Sequence, residues 1–359
     1  MDGFDRLPGI DGEESTRRNV LVGGGYALGG LLTAGAVLDR TLPEDDSADG
    51  SVGAVTSTST STATPTGDTT TADGDEPSGN PAASAVVGEL VDDERTSMVV
   101  ASITRLDATD DRSADEGNVF AAVRLVVKNT ARERPTSMAT FLEATVADGD
   151  GNAYEPVTGA TDGVFLNGQL VPGELARGDV VFEVPRDAVE LTLRFDFRSF
   201  GAFGFERLTV DLTERAEHVA SLEQSLRVSV LGLGGGDKQR GVEVSVEGVT
   251  FTDEIDDVRA PAGQEFALVD VTTANETNGV FDFSAPLQTA TKDDLGRAFD
   301  HAPAATERLP DGYDGQEVGP GGWLVGTLAF RVPAGVSPVY FVFRFDIVGG
   351  GQKTFWRLR

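Results

Sequence analysis

Two stretches of this chain, LTLRFDF at residues 191–197 and FVFRFDI at 341–347, are near copies of each other. Apolar residues alternate with polar ones in both, and a period of two marks a half-buried strand. Leu191, Leu193, Phe195 and Phe197 share one face and point to a core. Arg194 and Asp196 share the opposite face, as do Arg344 and Asp346. Such same-face pairs on a solvated strand stabilise by about 0 to 1 kcal/mol. The likeness continues in one order along the chain. Phe205–Leu208 (FERL) matches Phe355–Leu358 (FWRL), and Val181–Pro185 (VFEVP) matches Ala329–Pro333 (AFRVP). Phe120–Asn129 (FAAVRLVVKN) matches Phe266–Asn275 (FALVDVTTAN), with an offset that drifts between 146 and 150. Four matched segments in order imply duplication of a unit as long as a whole β-domain.

The first copy reads as about seven strands, near Val86–Val91, Ser97–Leu106, Val119–Lys128, Phe141–Ala147, Val180–Val184, Leu191–Phe197 and Phe205–Leu212. Val184-Pro185 ends one strand, because proline cannot extend a ladder. After residue 40 there is no long helical pattern. The expectation is an all-β chain: two tandem immunoglobulin-like antiparallel β-sandwiches, at 85–214 and 215–359. A Cys-Trp-Cys core of the antibody type is ruled out, because the chain has no cysteine.

What precedes the sandwiches has a different character. Arg17 and Arg18 stand directly before Asn19–Leu38, an uncharged stretch whose six glycines keep it weakly apolar. As a helix it would span about 30 Å, the thickness of a hydrocarbon core. The pattern resembles a twin-arginine export signal, the alternative being a plain signal-anchor helix with flanking positive charge. Ala34-Gly35-Ala36 has a small-x-small form, so cleavage after Ala36 is expected if the segment is removed. Both readings place the rest of the chain outside the cell, secreted or held at the surface. Residues 1–40 are therefore assigned as signal or anchor, and 41–84 as a disordered linker. Its run TSTSTSTATPTGDTTT (Thr56–Thr71) cannot bury enough apolar surface to offset ordering entropy.

Charge narrows the function further. The chain of 359 residues carries 59 Asp and Glu against 29 Lys and Arg, and only four of those cations are lysine. Nucleic-acid binding is disfavoured, since phosphate contacts need clustered cations. An acidic, lysine-poor surface resembles haloarchaeal proteins, in which concentrated salt shortens screening to about 3 Å or less and makes the repulsion tolerable. The absence of cysteine removes disulfides, thiolate chemistry and a lipobox anchor together.

The order of features in each copy resembles a telokin-like, immunoglobulin-like family of unknown function carried by exported prokaryotic proteins. The resemblance rests on Gly117-Asn118-Val119-Phe120, Asp148–Tyr154 (DGDGNAY), Gly173–Asp179 (GELARGD) and the strand through Phe195-Asp196. It covers about 85–213, and 225–359 more loosely, where Lys292–Gly296 (KDDLG) replaces the Asp-Gly-rich turn. The family brings no catalytic residues to transfer.

Candidate sites follow from single motifs. Asp148, Asp150 and Asn152 have the look of a cation loop, but Gly159 stands where an EF-hand needs Glu, and a hairpin turn is the better reading. His218 and His301 are the only histidines, and neither has a second at ligand spacing. Gly232–Gly236 lacks the Lys-Ser/Thr of a phosphate loop and reads as a loose connection. Phe200, Phe203 and Phe205 could form an exposed interaction patch or plug the end of the sandwich. Asn275-Glu276-Thr277 is an N-glycosylation sequon expected to be accessible after its strand. No metal or cofactor site is expected. The function expected is a non-catalytic, exported binding protein with an unidentified cell-surface or extracellular partner. It would touch the membrane only through an uncleaved N-terminal segment. An accessory protein with a ligand pocket between the modules is the second reading, and a carboxylate-dependent extracellular hydrolase the third.

Overall fold

The structure is a computed structural model that describes residues 82–109, 112–138, 143–158, 163, 165, 168–198, 203–348 and 351–359. Arg17, Arg18, Ala36, the apolar segment, most of the linker and Phe200 lie outside the described residues. Among the described residues no helix is long and apolar enough to cross a membrane.

The first sandwich runs through β1 (Ala82–Val87), β2 (Leu90–Asp92), β3 (Thr96–Leu106), β4 (Asn118–Asn129), β5 (Thr136–Met138), β6 (Ala144–Ala147), β7 (Ala153–Tyr154), β8 (Gly168–Leu170), β9 (Leu175–Pro185), β10 (Thr192–Asp196) and β11 (Arg207–Arg215). One sheet has the order β1-β11-β10-β6-β7 and the other β2-β3-β4-β9, with β5 paired to β8 at one end. All pairings are antiparallel except β1 with β11. The second sandwich continues with β12 (Val230–Leu231), β13 (Gly235–Gln239), β14 (Val242–Thr252), β15 (Glu254–Ile255), β16 (Val258–Arg259), β17 (Gln264–Asn275), β18 (Phe281–Ser284), β19 (Thr289–Asp293), β20 (Ala298–Phe299), β21 (Gly315–Val318), β22 (Trp323–Pro333), β23 (Val339–Arg344) and β24 (Lys353–Arg357). Its sheets are β12-β24-β23-β19-β20 and β13-β14-β17-β22. Here too the opening strand is parallel to the last.

Each sandwich has its own core between its sheets. Val100, Val123, Leu125, Phe182, Leu193 and Phe195 fill the first; Val244, Val269, Phe330, Phe341, Phe343 and Trp356 fill the second. The alternation expected for 191–197 holds: all four apolar residues are buried and Arg194 is exposed.

The duplication reaches into irregular backbone. β3 carries a bulge against β4 between Val100 and Ser102, and β14 one against β17 between Val246 and Gly248. Gly88 donates to the Val100 carbonyl at 2.8 Å, and Gly234 to that of Val246 at 2.7 Å. At both glycines the chain leaves one sheet and enters the other. Gly232–Gly236 is thus a sheet-switching corner, not a loose connection.

Two details of the repeat differ from the sequence reading. Leu212 donates to Leu191 at 3.0 Å and Leu358 to Val339 at 2.8 Å, so Leu191 corresponds to Val339 and not to Phe341. The LTLRFDF and FVFRFDI strings are slipped by two residues, an even step that keeps every side chain on its face. β10 and β23 accordingly stop at equivalent residues, Asp196 and Arg344, each followed by a buried phenylalanine. In the second module a 3₁₀ turn (Phe345–Val348) follows, and it carries Ile347 into solvent.

The hairpin is also shared after all. Asp148 N–H donates to Asn152 at 3.1 Å and Asp293 N–H to Arg297 at 3.1 Å. Each aspartate in turn accepts the N–H of the residue four further on, at 2.9 Å in both. KDDLG is therefore the same Asp-capped turn with a different filling.

Candidate functional site

The most unusual chemistry among the described residues lies where the two sandwiches meet. In the first module, Val171-Pro172-Gly173-Glu174 forms a tight loop leading into β9. Gly173 adopts φ +80°, a region that suits glycine. Its N–H bonds the Asn129 carbonyl at 2.8 Å, and the Glu174 N–H bonds that of Val171 at 3.0 Å. The Val171 N–H donates to the Glu174 carboxylate at 2.8 Å. This fixes the carboxylate toward the outer face of the second module's sheet.

That face presents Lys292 from β19 and Lys353 from β24. Lys292 Nζ donates to Glu174 Oε1 at 2.5 Å, and Lys353 Nζ lies 3.1 and 3.4 Å from the two oxygens. All three are buried, Glu174 at 1 % exposure and each lysine at 5 %. Burial opposes ionisation of Glu174, but the two ammonium groups outweigh it and hold the carboxyl below its usual range. Burial pushes Lys292 down to about 8 against the pull of Glu174, with Lys353 adding to the fall.

Around this triad the contact is dry and close. Val171 packs with Val342 and Phe355, next to Leu226 and Val228 of the connector between modules. The connector runs along the loop, with Ser225 N–H on Gly173 at 2.9 Å and Arg227 N–H on Pro172 at 2.8 Å. On the other side Arg177 bonds the second hairpin through its backbone to Gly296 at 2.8 Å and through Nε to Leu295 at 2.9 Å. Gly296 leaves no room for a side chain, because a Cβ there would lie 2.8 Å from the Leu175 carbonyl.

The sequence-derived candidates sit elsewhere. Asp148 is saturated by donors: Oδ1 accepts Asp150 N–H at 3.1 Å and Asn152 N–H at 2.9 Å, and Oδ2 accepts Asn152 Nδ2 at 2.9 Å and the Tyr154 hydroxyl at 2.7 Å. The Asn152 side chain, followed by Tyr154, holds its carboxyl down to about 2. This is the hairpin turn; N–H and O–H groups point where a cation loop would need oxygen. Among the described residues no group of three His, Cys, Asp or Glu could hold a metal ion.

Asn275 is fully buried, which corrects its expected accessibility as a sequon. Its Nδ2 donates to Gly279 at 2.7 Å and Val318 at 2.8 Å. Asn129 makes the same pair of bonds in the first module, to Arg134 at 2.9 Å and Leu170 at 2.8 Å. The two asparagines are a duplicated clamp on a loop, and the folded chain offers no free amide nitrogen at Asn275 for a glycan.

The family model described as a domain of unknown function, DUF4352, matches residues 85–202 and again 233–354, more than half of the chain. The chain belongs to the DUF4352 family. No curated protein matches it. Solved structures similar to part of the chain include the YjhA protein from Bacillus subtilis, at 12% identity over 36% of this chain and 100% of that one, with TM-score 0.28. An uncharacterized β-sandwich protein from Clostridium difficile aligns at 12% identity over 38% and 99%, with TM-score 0.27. A conserved hypothetical protein from Bacillus anthracis aligns at 18% over 38% and 94%, with TM-score 0.26.

In the first DUF4352 module Phe203 is buried, stacked on Phe205 and tilted against Phe197, with ring centroids 4.8 Å apart in both pairs. These rings plug the sandwich and do not form an exposed patch. His218 is exposed on the connector. His301 is buried in the second module, its Nε2 2.8 Å from the Thr306 hydroxyl. Thr306 also accepts the Ala329 N–H at 3.0 Å.

Sequence reasoning missed Glu174, Lys292 and Lys353 altogether. The available signal was scarcity: two of the four lysines fall on one sheet of the second module.

Proposed function

We propose that this protein is a non-catalytic, exported scaffold that presents two DUF4352 modules at the cell surface, in one fixed relative orientation, to an extracellular partner. Each module is read as a telokin-like immunoglobulin sandwich. Arg17-Arg18 before Asn19–Leu38 supports export, and the Ser/Thr-rich stretch supports a tether that holds the modules clear of the membrane.

The observation that carries the reading is the buried Glu174–Lys292–Lys353 triad, which ties the modules into one arm. A hinge that opens for a ligand would expose three charges whose partners lie across the junction. The space there is occupied by the triad and by Val171, Val342 and Phe355. Two hollows, of about 550 and 270 Å³, lie within single modules and away from the junction. This favours a rigid presenter over a capture device with an inter-module pocket.

Replacing Arg17 and Arg18 by lysine tests the export half directly. The wild-type chain is expected in the surface or medium fraction and the variant inside the cell. A wild-type chain that stays inside would overturn the proposal. Intact-mass analysis of the exported protein adds whether it starts at Val37.

A further inference from the structure

The loop that the first module uses to grip the second has an uncovered twin. Pro172-Gly173-Glu174-Leu175 corresponds to Pro320-Gly321-Gly322-Trp323. Gly321 N–H bonds Asn275 at 2.8 Å as Gly173 bonds Asn129, and Gly322 N–H bonds Gly319 at 2.9 Å as Glu174 bonds Val171. Gly321 has φ +70°, close to that of Gly173. Leu175 is buried at the junction, whereas Trp323 in its place is 70 % exposed, with Val325 beside it at 54 %.

The receiving surface has an uncovered twin as well. The second module's hairpin, Asp293–Arg297, takes Leu175 against Gly296. In the first module the equivalent hairpin is Asp148–Asn152, and among the described residues no atom lies within 4 Å of a Cβ added at Gly151. The neighbouring outer sheet face, with Arg194, Arg207 and Thr209, is exposed.

The charges of the triad are altered on the two free surfaces. Where the junction has Glu174 the free loop has Gly322, where it has Lys292 the first module has the buried Ala147, and where it has Lys353 the free face keeps a cation, the exposed Arg207. An unpaired buried charge is strongly destabilising, so with no carboxylate on the free loop a repeated contact needs another partner for Arg207. The exposed Trp323 ring supplies one, since a guanidinium is attracted to an aromatic face, so a cation–π contact stands in place of the ion pair.

We infer that Trp323 and its loop dock on the Asp148–Asn152 hairpin and outer sheet face of a second copy's first module, repeating between chains the contact made within each chain. The contact is heterologous, so it builds an open head-to-tail array or a ring.

The full chain in concentrated potassium chloride should show sedimentation that rises with protein concentration. Trp323→Ala should abolish that rise while leaving the thermal unfolding midpoint unchanged. The natural chain has no cysteine, so W323C and D150C chains mixed and oxidised should cross-link to each other. A chain that stays monomeric across the series overturns the inference, as does association that Trp323→Ala leaves intact. W323C cross-linking to itself as readily as to D150C would indicate a two-fold dimer and overturn it equally.

Discussion

Gly173 and Gly321 hold the same backbone place in the two modules, and only Gly173 is covered. A Cβ on Gly173 would lie 1.8 Å from the Ser225 carbonyl oxygen, while among the described residues nothing lies within 4 Å of one on Gly321. Alanine at Gly321 therefore meets only the left-handed backbone penalty, about 1–2 kcal/mol. Alanine at Gly173 meets that penalty and must also push the connector off the loop. Urea unfolding of the two variants should rank Gly173→Ala well below Gly321→Ala; equal losses would mean that the connector is not seated on the loop.

Removing the Glu174 carboxylate leaves two ammonium groups buried without their counter-charge. Glu174→Ala is expected to cost about 3–5 kcal/mol. The triple variant Glu174→Leu, Lys292→Met, Lys353→Met removes all three charges and should recover most of that loss, because well-packed apolar groups often replace a buried ion cluster without penalty. Unfolding midpoints of the two variants side by side give the comparison.

With four lysines in the chain, each side chain is resolvable by NMR. Lys292 should titrate at about 8, against about 10.4 for a free lysine. Glu174→Gln should move it lower still, since the carboxylate is what favours the charged form. Between those two values the unfolded chain binds more protons than the folded one, so the Lys292 contribution to stability rises with pH across that window.

His301 gives an effect at the acid end. Burial lowers its pKa to about 4, with Asp314 pulling weakly the other way. An unfolded histidine titrates near about 6.5, so below that value the unfolded chain gains a proton that the folded chain refuses. Stability should fall as pH drops from about 6.5 to about 4. Melting temperatures of wild type and His301→Gln over that range should show a shallower decline in the variant.

The fold was legible because a period of two survives on both sheets of each module and because the copies keep the same order. Even the two-residue slip between LTLRFDF and FVFRFDI does no harm to that reading, since it preserves which side chains face the core. The second hairpin was hidden because Asp293 keeps its capping role while the Asp-Gly pattern around it is gone. The junction was hidden for another reason: Glu174 is separated from Lys292 by 118 positions and from Lys353 by 179. A lysine on an alternating strand reads as solvent-facing, and only a second module packed on that face changes its meaning. The sequon at Asn275 misled because a short motif says nothing about the two carbonyls that claim its amide.

The central claim is that the buried triad fixes the two modules as one arm. Spin labels at Glu116→Cys in the first module and Glu307→Cys in the second, both on exposed positions in an otherwise cysteine-free chain, report it by double electron–electron resonance. One narrow distance distribution is predicted for the otherwise wild-type chain, broadening when Glu174→Ala is added. A broad or multi-peaked distribution with Glu174 intact would contradict the account.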